Sequence, residues 1–137
     1  MENDLISKER VLVTGGSGFI GSVLCLELIT KGYEVWVLTR EPERALRQLD
    51  KRVHLVKNLS ELAGIAFFAL VNLAGESLGA TRWSEQSKLL FRQSRIDLTN
   101  RLHQFFAAQQ LFPAVVINAS AVGIYGDAGS AVLDETS

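Results

Sequence analysis

The sequence predicts an α/β fold with a mostly parallel, doubly wound sheet of about five strands. Short apolar runs rich in β-branched residues recur along the chain, as buried parallel strands require. Segments with helical spacing separate most of these runs, so we expect helices on both faces of the sheet. The predicted strands cover residues 10–14, 33–39, 53–56, 66–73 and 114–119.

The first predicted helix begins at Phe19, directly after a run of glycines. Ile20, Leu24 and Leu28 follow one another at intervals of four residues, which places them on one helical face that we expect to pack on the sheet. Gly32 is typical of a helix C-terminus and ends the segment. This helix therefore connects the first two strands.

Two further helices are predicted. One runs from Pro42 to about residue 49, since proline is well tolerated in a first helical turn. The other covers residues 84–110, and its apolar stripe consists of Phe91, Leu98, Leu102 and Phe105. Residues 50–64 are expected to form a reduced crossover, and residues 123–137 a loop.

Composition excludes several classes of protein. The 137 residues suit one domain, and 14 basic against 15 acidic residues leave a net charge of −1, which gives no electrostatic case for a nucleic-acid binder. Cys25 is the single cysteine, and with only His54 and His103 beside it we expect neither a disulfide nor a structural zinc site. The longest apolar run, residues 62–71, is too short to span a bilayer, and the polar start lacks a secretory pattern, so we expect a cytoplasmic protein.

The strongest motif is the glycine loop, Thr-Gly-Gly-Ser-Gly-Phe-Ile-Gly at residues 14–21, between the first strand and the first helix. Glycines three apart permit a sharp exit from the strand, a close approach of main chain to a pyrophosphate, and close packing of the helix on the sheet. The helix N-terminus adds free N–H groups and partial positive charge. A Rossmann-type dinucleotide site is therefore predicted, with contacts from Gly15, Gly16, Ser17, Gly18, Phe19, Ile20 and Gly21.

The glycine loop has two alternative interpretations besides a dinucleotide site. An ordinary glycine-rich turn has the same composition but does not require the flanking strand and amphipathic helix. A mononucleotide P-loop is excluded because Ser22 stands where the phosphate-binding lysine would be.

The end of the second strand indicates NADP as the preferred dinucleotide, with NAD as the alternative. Thr39 and Arg40 lie at the position that normally faces the adenosine ribose, where an arginine suits the 2′-phosphate of NADP. Arg44, one helical turn further on, is expected to support that contact. The alternative is a solvated Arg40 paired with Glu41 or with a neighbouring glutamate.

With these residues in place, the sequence resembles the extended and atypical short-chain dehydrogenase/reductases. The closer likeness is to NAD-dependent epimerase/dehydratase-like proteins, often labelled nucleoside-diphosphate-sugar epimerases. The likeness is carried by the glycine loop, Val71-Asn72-Leu73-Ala74-Gly75-Glu76, Arg82-Trp83 with Lys88, Arg92, Ser94 and Arg95, and the run from Ser120 to Asp127.

The resemblance implies roles for two further segments. Leu73, Ala74 and Gly75 would line the adenosine side of the cofactor, although small residues also suit tight strand-to-loop packing. Ser120 would be the catalytic serine that hydrogen-bonds a substrate carbonyl or hydroxyl; the alternative is a serine that caps the loop. Tyr125 matches the family's Tyr-Gly turn, but Gly129 occupies the position where a Tyr-x-x-x-Lys pair needs lysine.

The start of the long helix carries a basic and aromatic rim. It is expected to receive an anionic substrate group or a partner helix, or else to form a solvated face with Trp83 packed as a staple. The rim consists of Arg82, Trp83, Lys88, Arg92 and Arg95.

The resemblance also implies that residues 1–137 are the amino-terminal half of a longer fold. Family members are longer, and the tyrosine–lysine pair of their hydride chemistry would follow Ser137. We therefore expect an NADP-binding domain of an oxidoreductase, incomplete for catalysis, with a sheet edge that favours homo-oligomers. The alternatives are a non-catalytic sensor or scaffold module and a fragment too unstable to bind a ligand.

Overall fold

The computed structural model describes residues 8–75 and 84–137, and these form a five-stranded, all-parallel sheet with flanking helices. The predicted fold class is confirmed. The reduced crossover is a 3₁₀ turn at Leu59–Leu62, and a second 3₁₀ turn lies at Val122–Tyr125. The strands are β1 (Arg10–Thr14), β2 (Glu34–Leu38), β3 (His54–Val56), β4 (Ala69–Asn72) and β5 (Val115–Asn118), and the helices are α1 (Phe19–Thr30), α2 (Pro42–Ala45) and α3 (Glu85–Gln109).

The strand order is β3-β2-β1-β4-β5, with β1 at the centre. From β1 the chain moves outward to β2 and β3 and then returns to β4 on the other side of β1. The direction of winding therefore reverses between β1 and β4. In parallel sheets the carboxyl ends of the strands beside such a reversal form the crevice where ligands bind.

Two apolar cores lie on opposite faces of the sheet, because successive strand residues point to opposite sides. Alternate β1 residues divide between them: Val11 and Val13 face the core under α1, and Leu12 faces the core under α3. Leu12 is fully buried. The α3 core also contains Val56, Leu62, Phe67, Leu70, Leu102 and Phe106.

The face that α1 presents to the sheet differs from the predicted one by one residue. The structure buries Gly21, Cys25 and Ile29, whereas Ile20 is 68% exposed. Leu24 and Leu28 only flank the core. The helix is rotated because Gly21 has to face the glycine loop, a constraint that apolar spacing does not reveal.

Other predicted boundaries are nearly right. α2 ends at Ala45, and the chain continues through turns to the buried Leu49, whose N–H donates to the Ala45 carbonyl at 2.9 Å. β4 starts at Ala69 rather than at residue 66. Ser84 caps α3 by accepting a hydrogen bond from the Ser87 N–H at 3.1 Å. Among residues 8–75 and 84–137, no helix has the length and apolar character needed to cross a membrane.

Candidate functional site

The glycine loop closes tightly on itself and on the exit of β4. Gly15 has φ +69°, and a Cβ there would lie 2.9 Å from the Ala74 nitrogen and from the Leu73 carbonyl. A Cβ on Gly21 would collide with the Gly15 carbonyl oxygen and lie 2.7 Å from the Gly16 Cα. All of these contacts are with backbone atoms, which a rotamer change cannot relieve. The loop and the β4 exit therefore share one backbone surface.

Gly16, rather than Gly21 as predicted, is the glycine that lies closest to side chains of the sheet. A Cβ on Gly16 would lie 2.7 Å from Val37 Cγ2 and 3.3 Å from Cys25 Sγ. Cys25 is 1% exposed, and burial raises the pKa of its thiol to about 11. The cysteine is therefore a core residue beneath the loop, as predicted.

The N-terminus of α1 has features that favour binding of an anion. Its N-cap, Gly18, provides no side-chain hydrogen bond, and the first turn contains no acidic residue. The N–H groups of a first turn have no acceptor within their own helix, and the helix dipole places partial positive charge there. A Cβ on Gly18 would meet only the Gly15 carbonyl oxygen within 4 Å. The glycine loop thus fits the diphosphate of a dinucleotide.

A cavity of about 540 Å³ opens beside the glycine loop at the carboxyl edge of the sheet. Its walls come from the loop, the exits of β2, β3 and β4, α2, and one side of α3. This size suits a small-molecule cofactor. The lining residues are Gly15, Ser17, Gly18, Leu38, Thr39, Arg40, Glu41, Arg44, Lys57, Leu73, Ala74, Gly75, Ser94, Asp97, Leu98 and Arg101.

The charges around the cavity favour an anionic ligand. Four cationic and two carboxylate side chains line it, an excess of two positive charges. The cations reach the cavity from three separate parts of the chain. They are Arg40, Arg44, Lys57 and Arg101.

The exit of β2 is held in a short turn. The Glu41 N–H donates to Thr39 Oγ1 at 3.2 Å, and the Thr39 N–H donates to the Val56 carbonyl at 2.9 Å. Arg40 therefore leaves the sheet between two fixed residues. Glu41, one of the partners considered for Arg40, forms an ion pair with Arg44 at 3.4 Å.

A buried polar network ties β1, β4 and β5 together below the cavity. The Thr14 hydroxyl donates to Asn72 Oδ1 at 2.6 Å and accepts from the Ala74 N–H at 3.2 Å. Asn72 Nδ2 donates to Asn118 Oδ1 at 2.7 Å and to Thr99 Oγ1 at 3.1 Å. The network fixes the β4 exit, and so the cavity wall at Ala74, relative to the central strand.

The cavity lining does not include the predicted catalytic residue. Ser120 is exposed two residues beyond β5, and it is not among the residues that line the cavity. Phe19 and Ile20 have exposed side chains at the α1 N-terminus, and neither lines the cavity. In the described part of the chain no group of three metal-ligating side chains comes together.

Two residues of the predicted basic rim, Arg82 and Trp83, lie outside the described residues, as does Glu76 of the segment after β4. Lys88 forms an ion pair with Glu85 at 2.7 Å on the exposed surface of α3. The Arg95 guanidinium lies against Gly75, where a Cβ would approach it to 2.6 Å. Of the two described rim residues with these contacts, Lys88 is paired within α3 and Arg95 lies at the exit of β4.

Sequence reasoning did not identify the α3 wall of the cavity. Leu98 was expected as part of the core stripe, and it does flank the α3 core while also lining the cavity. Asp97 and Arg101 lie beside it at helical spacing. Their role depends on where α3 crosses the carboxyl edge of the sheet, and periodicity gives no information on that crossing.

Comparison with known proteins gives a consistent result. The sequence profile of the NAD dependent epimerase/dehydratase family matches residues 11–137. The chain is 35% identical over 122 residues to the epimerase family protein YfhF of Bacillus subtilis (strain 168), covering 85% of this chain and 39% of that protein. The chain thus spans about two fifths of the length of the curated relatives it matches.

Solved structures agree with the sequence comparison. The human epimerase family protein SDR39U1 (isoform 2), crystallised with NADPH, aligns with a TM-score of 0.73 and 31% identity over 93% of this chain and 42% of its own. The UDP-glucose 4-epimerase from Brucella ovis in complex with NAD aligns with a TM-score of 0.74 and 21% identity over 93% and 40%. The second likeness establishes the shared fold alone.

Proposed function

The chain belongs to the NAD-dependent epimerase/dehydratase family, and on that premise we propose that residues 1–137 form an NADP-binding domain. The observation that carries the proposal is the juxtaposition of an uncapped helix N-terminus with a cationic cavity wall at the end of β2. The glycine loop would take the diphosphate. Arg40, with Arg44 beside it, would take the 2′-phosphate.

Three features support NADP rather than NAD. Arg40 lies on the cavity wall directly after β2, where the adenosine ribose is expected. The positive charges that surround it suit a ligand that carries an additional phosphate. The human relative that is 31% identical was crystallised with NADPH. Thr39, Leu73, Ala74 and Gly75 would contribute the rest of the adenosine wall.

Binding titrations test the cofactor preference. NADPH and NADH are titrated into the protein while nicotinamide fluorescence is followed, and we expect NADPH to bind at least about tenfold more tightly, as hydrogen bonds to a charged group allow. Arg40→Ala should weaken NADPH binding and leave NADH binding almost unchanged. Equal affinities that do not respond to the substitution would remove the NADP assignment.

Arg47→Ala is the matched control for Arg40→Ala. Arg47 is an exposed arginine in the same segment and does not line the cavity. Both substitutions lower the net charge by one, so a general electrostatic effect would weaken NADPH binding equally in the two variants. A specific 2′-phosphate contact affects only the Arg40 variant.

The parent reaction would be hydride exchange between the nicotinamide and a hydroxyl or keto substrate such as a sugar nucleotide. Ser120 would hydrogen-bond the substrate oxygen. The second candidate is a non-catalytic sensor or scaffold module. It requires the same glycine loop at residues 14–21 but no catalytic residue. Turnover of any hydroxyl or keto substrate by a protein containing this domain would reject the second candidate.

Self-association is the remaining part of the proposal. β5 is an edge strand whose Val116 and Ile117 are 60% and 52% exposed. Exposed apolar edge strands pair readily with other chains. We expect the mass from light scattering to rise with protein concentration, and Val116→Lys to suppress the rise. A constant monomer mass at high concentration would contradict self-association.

A further inference from the structure

One side of α3 borders the cavity from the face of the sheet opposite to α1. Ser94, Asp97, Leu98 and Arg101 recur at helical spacing along this side, and all four line the cavity. Asp97 stands out among them because it places a carboxylate in a cavity whose other charges are mostly positive. It is exposed and therefore accessible to a ligand.

A carboxylate in this position favours a ligand group that donates a hydrogen bond. An ionised carboxylate only accepts hydrogen bonds, and it repels a phosphate. The other lining carboxylate, Glu41, is engaged with Arg44 at 3.4 Å. Asp97 shares its helix with Arg101 four residues later, but such surface spacing contributes little to stability. A ligand group that carries N–H or O–H is the fitting partner for Asp97.

The neighbours of Asp97 indicate a purine base rather than a ribose. Leu98 and Leu38 pack against the same core and both line the cavity, so they offer an apolar surface to one face of a ring. Arg101, one turn from Asp97, carries a planar guanidinium of the kind that stacks on aromatic rings. The ribose side of the cavity is the exit of β2, at Thr39 and Arg40.

We propose that Asp97 accepts a hydrogen bond from the exocyclic amino group of the adenine base and thereby selects adenine dinucleotides over those with a 6-oxopurine. This inference rests on the proposed function and adds a base-recognition residue to the same cavity. In a 6-oxopurine a carbonyl oxygen replaces that amino group, so this hydrogen bond to the carboxylate is lost, and the neighbouring N1–H would reach Asp97 only after a shift of the base.

The test compares NADPH with its hypoxanthine analogue, in which a carbonyl replaces the amino group and the total charge is unchanged. Dissociation constants for both are measured with the wild-type protein and with D97N. The wild-type protein should bind NADPH about tenfold more tightly than the analogue. In D97N the ratio should fall close to one, because an amide both donates and accepts.

Glu27→Gln is the matched control, since Glu27 is an exposed acid in the last turn of α1 that does not line the cavity. This variant should keep the wild-type ratio. The assignment of Asp97 would be overturned if the wild-type protein bound NADPH and the analogue equally tightly, or if D97N left the ratio of their dissociation constants unchanged. In either case, saturable NADPH binding would still support the proposed function. If neither nucleotide binds saturably, the proposed function fails and the inference fails with it.

Discussion

Replacing Asn72 with alanine tests the buried network that fixes the cavity wall. Asn72 is 7% exposed and makes three side-chain hydrogen bonds, to Thr14, Thr99 and Asn118. Each such bond contributes about 1 kcal/mol, so their loss should lower the free energy of unfolding by about 3 kcal/mol. Part of this cost arises because the fully buried Thr14 hydroxyl is left without its acceptor. For a chain of this length the melting temperature should fall by roughly 10 °C.

Asn118→Ala is the matched control for Asn72→Ala. It removes one of the same bonds, of 2.7 Å, but from the exposed end of the network, where water can replace the lost partner. The expected loss is below about 1 kcal/mol. Urea unfolding followed by tryptophan fluorescence measures both variants. If Asn72→Ala costs no more than Asn118→Ala, the network does not stabilise the central strands.

Three further predictions concern the helices. Gly21→Ala should lower the free energy of unfolding in urea by about 1–2 kcal/mol, since overpacking against the loop backbone outweighs the gain in helix propensity. Val23→Ala, on the exposed face of α1, is the control and should not destabilise the protein. The Cys25 thiol, with its pKa raised to about 11, should react with Ellman's reagent at pH 8 about a hundredfold more slowly in the folded protein than in urea. The free energy of unfolding should decline as the pH rises above 9, because the thiol ionises more readily in the unfolded chain. Gln110→Gly should raise the free energy of unfolding by about 0.5–1 kcal/mol, because Gln110 has φ 54°, a left-handed conformation that glycine adopts without strain. Ala108→Gly, within α3, is the control and should lower the free energy of unfolding.

Local sequence signals were sufficient for the elements and for the glycine loop. β1 was predicted at its observed bounds, because an apolar run that ends in glycines specifies both the strand and its exit. The start of α1 at Phe19 and its stop before Gly32 followed from the change of period and from the glycine, whose φ is +93°. Each of these features depends on residues that are close together in the sequence.

Features that depend on contacts between distant segments were not predicted. The polar network joins Thr14 to Asn72 across 58 residues and Asn72 to Asn118 across 46. Asparagine at a strand end is equally typical of a turn, so the sequence alone does not distinguish a buried network residue from a loop residue. The position of α3 over the carboxyl edge is a tertiary property of the same kind.

The cavity divides into a part that the fold requires and a part that it does not. The surface proposed for the diphosphate is backbone, and glycines within it touch other backbone, so substitutions there should lower stability and cofactor affinity together. The groups proposed to distinguish one nucleotide from another, Arg40 and Asp97, are exposed side chains on separate elements. Exposed side chains contribute little to folding, so their substitution should change ligand preference while the free energy of unfolding stays within about 0.5 kcal/mol of its original value. A fold organised in this way can keep its diphosphate site while its nucleotide specificity varies.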